Sequence, residues 1–224
     1  MGIFDKIFGN KEEQDIIHRN HREDKMEYKM TMAQVFNPLM NKIDKLPEKE
    51  VREFLKTILD GAERSLRGIL FMAPEEFNFK KTATKEEIDF WLRKVSLAIL
   101  AYSCYFFSVE EQVPLGKFSY EAYWQRMFDS YNEIFRENIT KNDINYYAAG
   151  LKEDTEKGYS KSGNMEKVAE LAVRDYKTLG GELLQKIWQE DVSSNERKTL
   201  FLGARIWQAY QQIVQPFLPK LLAM

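Results

Sequence analysis

Both histidines of the chain lie close together, at the spacing of a small metal site. Asp15, His18 and His21 follow one another at intervals of three residues. Side chains three apart lie along one side of an α-helix, so a carboxylate and two imidazoles would face the same ion. Metal centres of helical bundles draw their ligands from several helices, however, whereas these residues belong to one charged segment. The competing interpretation is a solvated polar face.

The most aromatic part of the chain predicts a second kind of site, a pocket for an organic molecule. Tyrosine and tryptophan rings supply contact area, and their polar atoms orient a ligand through a few hydrogen bonds. The candidate residues are Tyr102, Tyr105, Tyr123, Trp124 and Tyr131. Because aromatic residues at helical spacing also serve as bulky core residues, the pattern leaves both interpretations open.

Motifs of catalysis are missing from the sequence. It has no P-loop, no HExxH pair, no nucleophile elbow and no glycine-rich dinucleotide turn. The single cysteine, Cys104, lies in an apolar stretch, where a thiol is protonated and inert. A pair of carboxylates brought together from two helices would leave no such motif. The sequence therefore assigns no catalytic residue and no cofactor, and an enzyme activity is not predicted.

A helix predicted over residues 86–108 is the element around which the other helices are organised. Its apolar residues recur at steps of four and three and then extend around the whole circumference. A helix that is apolar on all sides lies in the middle of a bundle. Thr84 and Glu87 form a capping box at its start, which satisfies the first backbone amides.

Helical periodicity continues on both sides of this segment, and no convincing alternating strand pattern occurs. Apolar stripes predict helices over residues 51–70 and 120–136. Pro38 predicts a new helix or a kink, and the glycine pair at 180–181 predicts a helix end. Methionines at helical spacing, such as Met26 and Met30, are expected in the core. The predicted fold class is all-α, a single helical bundle of about seven or eight helices around a buried central helix.

The predicted domain comprises residues 11–224, and both ends of the chain are rich in apolar residues. Residues 1–10 predict a flexible or docking amphipathic segment, with apolar residues at Ile3, Phe4, Ile7 and Phe8. The tail, residues 217–224, is apolar to its last residue and predicts closure of the bundle or burial in a homodimer. The polar stretch 152–163 predicts a loop, at which the domain would divide in two if it has two parts.

Charge and hydropathy exclude several classes of partner. The 33 basic and 35 acidic residues give a net charge of −2, which supplies no global field for nucleic acid. No apolar run reaches the ~20 residues that a membrane span needs. The first residues also lack the apolar stretch of a signal peptide, so we expect a cytoplasmic protein. Membrane contact through residues 1–9 is disfavoured because only one lysine lies among them.

Three functions are compatible with this sequence. The absence of motifs, together with apolar segments at both ends, favours a non-catalytic protein acting through protein–protein contacts, as an adaptor, inhibitor or immunity-type partner. The alternative is a small-molecule-binding bundle that uses the aromatic residues named above. A metal-binding bundle that uses Asp15, His18 and His21 is less favoured.

Overall fold

The structure is a computed structural model that describes residues 11–80, 82–109 and 120–217, with side chains for 23–80, 82–105 and 123–217. These residues form eight α-helices and no strand, which confirms the predicted all-α class. The helices are α1 (Lys11–Ile43), α2 (Lys49–Met72), α3 (Lys85–Val109), α4 (Tyr120–Phe135), α5 (Lys141–Tyr147), α6 (Ala149–Lys157), α7 (Met165–Leu183) and α8 (Glu196–Ala209). Short π-helical turns prolong α7 over Leu184–Trp188 and α8 over Tyr210–Val214.

Helix α3 lies within the bundle, and every residue from 95 to 104 is buried. It packs against α1, α2, α5, α6, α7 and α8. The predicted capping box is present, because the Thr84 N–H donates to Glu87 Oε2 at 2.8 Å and the Glu87 N–H donates to Thr84 Oγ1 at 3.2 Å. The observed helix, Lys85–Val109, therefore agrees with the prediction to within one residue at each end.

A single hydrophobic cluster extends from Tyr28 in α1 to Val214 beyond α8. The stripe predicted for α2 faces this cluster, and Phe54, Leu59 and Ile69 are fully buried within it. Trp91 of α3 fixes the contact between the two helices, since its Nε1 donates to the Ala62 carbonyl at 2.9 Å. The core is thus built around the α2–α3 pair.

Helix α1 differs from the prediction at its proline and at its methionines. A single helix continues through Pro38, so the predicted start of a new helix there is wrong. Packing explains the continuity, because Val35 and Leu39 are buried on either side of the proline and hold both halves on the same core. Met26 and Met30, expected in the core, are each 59% exposed.

Of two predicted breaks in the second half of the chain, one is partly helical and the other is wholly helical in the structure. Residues 152–157 belong to α6, whose C-cap is Gly158 with φ 68°, and residues 158–163 form turns. Helix α7 passes through Gly180 and Gly181 without ending. At Gly180 an added Cβ would lie 2.0 Å from the Thr199 carbonyl oxygen of α8. This glycine allows two helices to pack closely, so it does not serve as a cap.

Candidate functional site

The predicted metal ligands belong to α1, but the side chains of Asp15, His18 and His21 lie outside the described residues. The metal site therefore stays a prediction. Elsewhere, the side chains that the structure does describe include no group of three or more Asp, Glu, His or Cys placed to hold an ion.

Residues 1–10 and 218–224, the two apolar ends, are also outside the described residues. No helix in the described ranges is long and apolar enough to cross a bilayer.

Two of the predicted aromatic residues use their hydroxyls within the bundle. Tyr131 is fully buried, and its hydroxyl donates to the Arg93 carbonyl at 2.6 Å while its ring stacks on Phe135 at 4.5 Å between centroids. Tyr105 donates its hydroxyl to Asn145 Oδ1. These two hydroxyls therefore already connect helices of the bundle.

Tyr123 and Trp124 pack edge to face, with ring centroids 5.3 Å apart, and Trp124 also contacts Phe54 at 5.9 Å. Burial raises the pKa of Tyr123. Of the candidate residues, only Tyr102 lines the pocket that the structure forms between α3, α6, α7 and α8. Ligand binding by the other four candidate residues remains a prediction.

This pocket has a volume of about 170 Å³ and a largely apolar lining, to which Leu171 and Trp207 contribute. Two carboxylates also line it. Asp154 accepts a hydrogen bond from the Ser160 N–H at 2.8 Å through its Oδ1. Asp175 is 2% exposed and lies on the facing helix, α7.

The Asp175 carboxylate closes the N-terminus of α6. Its Oδ1 accepts from the Gly150 N–H at 2.7 Å, and its Oδ2 accepts from the Leu151 N–H at 3.1 Å. The first amides of a helix have no partner within the helix, and Ala148 at the N-cap offers no side-chain acceptor. Burial raises the pKa of Asp175 to about 6, although the two amide bonds act in the opposite direction.

The Tyr102 hydroxyl is the unsatisfied polar group of this pocket. Tyr102 is fully buried, and its hydroxyl has no hydrogen-bond partner among the described residues. Its ring meets that of Trp207 edge to face at 5.2 Å. Burial raises the pKa of the phenol well above its ordinary value, so it remains protonated and able to donate.

A second concavity is a groove of about 730 Å³ between α1 and α2. Apolar residues from both helices form its floor, among them Met32, Phe36 and Phe71. Tyr28 completes the floor, with its ring 5.4 Å from Phe71, and its hydroxyl donates to Glu63 Oε1 at 3.1 Å. The groove is more open to solvent than the pocket around Tyr102 and is much larger.

Charged residues form the rim of this groove, with four basic side chains against two acidic ones. Both acidic residues are paired within α2, Asp60 with Arg64 at 3.7 Å and Glu63 with Arg67 at 3.6 Å. On α1, Lys25 lies over the Phe71 ring at 5.7 Å, and neither it nor Lys29 forms an ion pair with a described residue. The rim is therefore electropositive.

Asp175 is not among the predicted site residues, because charged residues such as Arg174 and Lys177 lie close to it in the sequence. A signal for it exists in the sequence. Leu171, Asp175 and Leu179 are spaced by four residues, which places the carboxylate on the buried stripe of the helix.

Comparisons of the chain with protein-family models, curated proteins and solved structures find no match, so the ligands of both concavities are inferred from their residues alone.

Proposed function

We propose that this is a non-catalytic cytoplasmic protein that acts through protein–protein contacts, and that its groove between α1 and α2 receives an amphipathic helix of another protein. The observation that supports the proposal is an open apolar groove with an electropositive rim. Amphipathic helices bind such grooves by inserting apolar side chains from successive turns.

The dimensions of the groove match a short helix. On α1 its lining runs from Lys25 to Asn37, and on α2 from Asp60 to Met72. At ~1.5 Å per residue, each wall is roughly 18 Å long, which corresponds to about three helical turns. A partner helix of this length would present three or four apolar residues to the floor.

Exposed methionines extend the apolar surface at the edges of the groove. Met72 lines the groove and is 70% exposed. Met26 and Met30 follow the same stripe of α1 as Ala33, which also lines it. Because methionine side chains are flexible and polarizable, they adapt to partner surfaces of different shape.

The charge of the rim favours a partner with acidic residues beside its apolar stripe, since complementary charges fix orientation and raise association rates. Neither apolar end of this chain fits that description. Residues 1–10 carry Asp5 and Lys6, whose charges cancel, and the tail carries Lys220 without an acidic residue. We therefore assign the groove to a different protein and not to a second copy.

Site-specific photocrosslinking in the native cells tests the assignment. A photoreactive residue at Met72 should give an adduct with one protein, whereas the same residue at Met165, which is 65% exposed on α7, should not. The adduct should be lost in the double variant K25E/K29E. It should persist in K157E/K161E, which makes the same change of charge at exposed lysines away from the groove.

Three results would contradict the proposal. One is an adduct that forms equally from Met72 and Met165. Another is an adduct that K25E/K29E and K157E/K161E weaken to the same degree. The third is an adduct with the mass of two copies of this chain, which would assign the groove to a homodimer.

A further inference from the structure

Three aromatic rings and two carboxylates converge on the pocket between α3, α6, α7 and α8. The Trp207 ring is the common neighbour, with its centroid 5.2 Å from that of Tyr102 and 6.4 Å from that of Tyr176. Asp154 and Asp175 supply the carboxylates, and no Lys, Arg or His of the described residues lines the pocket. Its side chains thus offer electron-rich rings and acceptors, with no positive charge.

The charge of Asp175 has no cationic partner in the pocket. Its two bonds are to neutral backbone amides, and the adjacent Arg174 pairs instead with Glu153 at 2.9 Å. Burying an uncompensated charge is unfavourable. Each carboxylate oxygen keeps a second lone pair after accepting one amide, so Asp175 can still accept from a donor inside the pocket.

Tyr102 provides the second polar group. Its fully buried hydroxyl has no partner among the described residues, although buried hydroxyls in folded proteins are nearly always hydrogen-bonded. A ligand with several N–H donors would donate both to the oxygen of this hydroxyl and to the free lone pairs of Asp175. An ammonium group has three such donors.

We propose that this pocket binds a small organic ammonium ion, with the charged nitrogen directed toward Asp175 and Tyr102 and the hydrocarbon part against Leu171 and Trp207. Aromatic faces attract cations in addition to enclosing the hydrocarbon. The volume of about 170 Å³ sets the size. Because a cavity of about 150 Å³ accommodates a benzene ring, the ligand class is a primary amine on one six-membered ring or a short alkyl chain.

The pocket has a route to solvent between α6 and α7. Leu151, Val168 and Ala172 line it and are only half-buried, whereas Tyr102 at its inner end is fully buried. The hydrophobic mouth and the polar inner end imply that the ammonium group enters first. This proposal is independent of the groove between α1 and α2, which lies on other helices.

An NMR titration with three probes of one shape tests the ligand class. The probes are cyclohexylammonium, cyclohexanol and cyclohexanecarboxylate, added to protein with labelled methyl groups. Cyclohexylammonium should shift the methyl resonances of Val168 and Leu171 but not those of Leu59, which is buried in α2. It should bind at least about tenfold more tightly than the alcohol, and the carboxylate should not bind.

Two tyrosine variants separate binding from stability. Y102F should weaken cyclohexylammonium binding about five- to tenfold without lowering the melting temperature, since the hydroxyl it removes has no partner in the protein. Y131F should show the opposite pattern. It removes the bond to the Arg93 carbonyl, so it should lower the melting temperature and leave the affinity unchanged.

Equal affinity for cyclohexylammonium and cyclohexanol would overturn the proposal, because the pocket would then be a simple apolar cavity. Preferential binding of the carboxylate, or the absence of methyl shifts with all three probes, would do the same. The variant D175N provides a further test of the proposal, because it should reduce the affinity for cyclohexylammonium by about tenfold or more. If D175N does not fold, the comparison of Y102F with Y131F still tests whether the pocket binds the ammonium ion.

Discussion

Asp175 and Gly150 depend on each other at the crossing of α6 and α7. The Gly150 N–H donates to Asp175 Oδ1 at 2.7 Å, and a Cβ at position 150 would lie 2.9 Å from Asp175 Oδ2 and 2.3 Å from the Leu171 carbonyl oxygen. Only glycine allows the amide to approach the carboxylate this closely. The hydrogen bonds to the Asp175 carboxyl group and the bare backbone of Gly150 together hold the start of α6 on α7.

The buried carboxylate should make stability depend on pH. Because burial raises the pKa of Asp175 from 3.8 to about 6, the folded protein binds this proton more tightly than the unfolded chain. Its stabilising contribution is therefore complete below about pH 3.8 and is lost as the pH rises through about 6. The expected loss is roughly 3 kcal/mol of unfolding free energy over this interval.

Urea unfolding of wild type and D175N at several pH values isolates this effect, because the other carboxylates titrate in both proteins. D175N should gain stability relative to wild type as the pH rises from about 4 to about 7. A difference between the two proteins that does not change with pH would show that Asp175 titrates normally in the folded state.

The two glycines Gly180 and Gly68 should respond in opposite directions to alanine. A Cβ at Gly180 would lie 2.0 Å from the Thr199 carbonyl oxygen, whereas a Cβ at Gly68 has no neighbour within 4 Å. G180A should therefore lose about 3 kcal/mol of unfolding free energy or fail to fold. G68A should gain up to ~1 kcal/mol through helix propensity.

Chemical unfolding of both glycine variants provides the comparison. Equal stability of G180A and wild type would mean that α7 and α8 are farther apart than in this structure. A loss of stability in G68A would mean that other atoms of the protein fill the space beside Gly68, which is empty in this structure.

The sequence predicts the elements whose pattern is repeated over many turns. The stripe of α2 and the all-round apolarity of α3 each rest on many residues, so one exception does not change the prediction. Local caps are also predictable. The capping box of Thr84 and Glu87 is present as predicted, since it depends only on residues within one turn.

Features that depend on a neighbouring helix are not predictable in this way. Gly180 has the local character of a helix end, but the close approach of α8 determines its role. Pro38 has the local character of a break, but burial on both sides keeps α1 continuous. The pocket needs α3, α6, α7 and α8 at once, which explains why only Tyr102 was identified.

Replacement of Pro38 should show that α1 is a single helix. A proline inside a helix lacks one N–H and crowds the preceding turn, at a cost of up to ~3 kcal/mol. Pro38 is exposed, so P38A removes this cost without opening a cavity. We expect the unfolding free energy to rise by about 1–3 kcal/mol.

P38G is the matched control for the proline variant, because glycine restores the N–H but has poor helix propensity. It should be about 1 kcal/mol less stable than P38A. If P38A is less stable than wild type, the proline terminates one helix and begins another.

Binding of cyclohexylammonium should strengthen as Asp175 ionises. The acidic groups that face the pocket are Asp154 on α6, Asp175 and Tyr176 on α7, and Tyr102 on α3. Burial raises the pKa of Tyr176 to about 12 and that of Tyr102 well above its ordinary value, so both phenols keep their protons at neutral pH.

The ligand amine, like a lysine side chain, stays protonated below about pH 10, so the change in affinity reports on the protein. With the pKa of Asp175 near 6, the dissociation constant should fall about tenfold between about pH 5 and about pH 7.5 and then become constant. D175N should bind weakly and show no such step, whereas D154N should retain it. A step that D154N abolishes and D175N retains would assign the ammonium group to Asp154 instead.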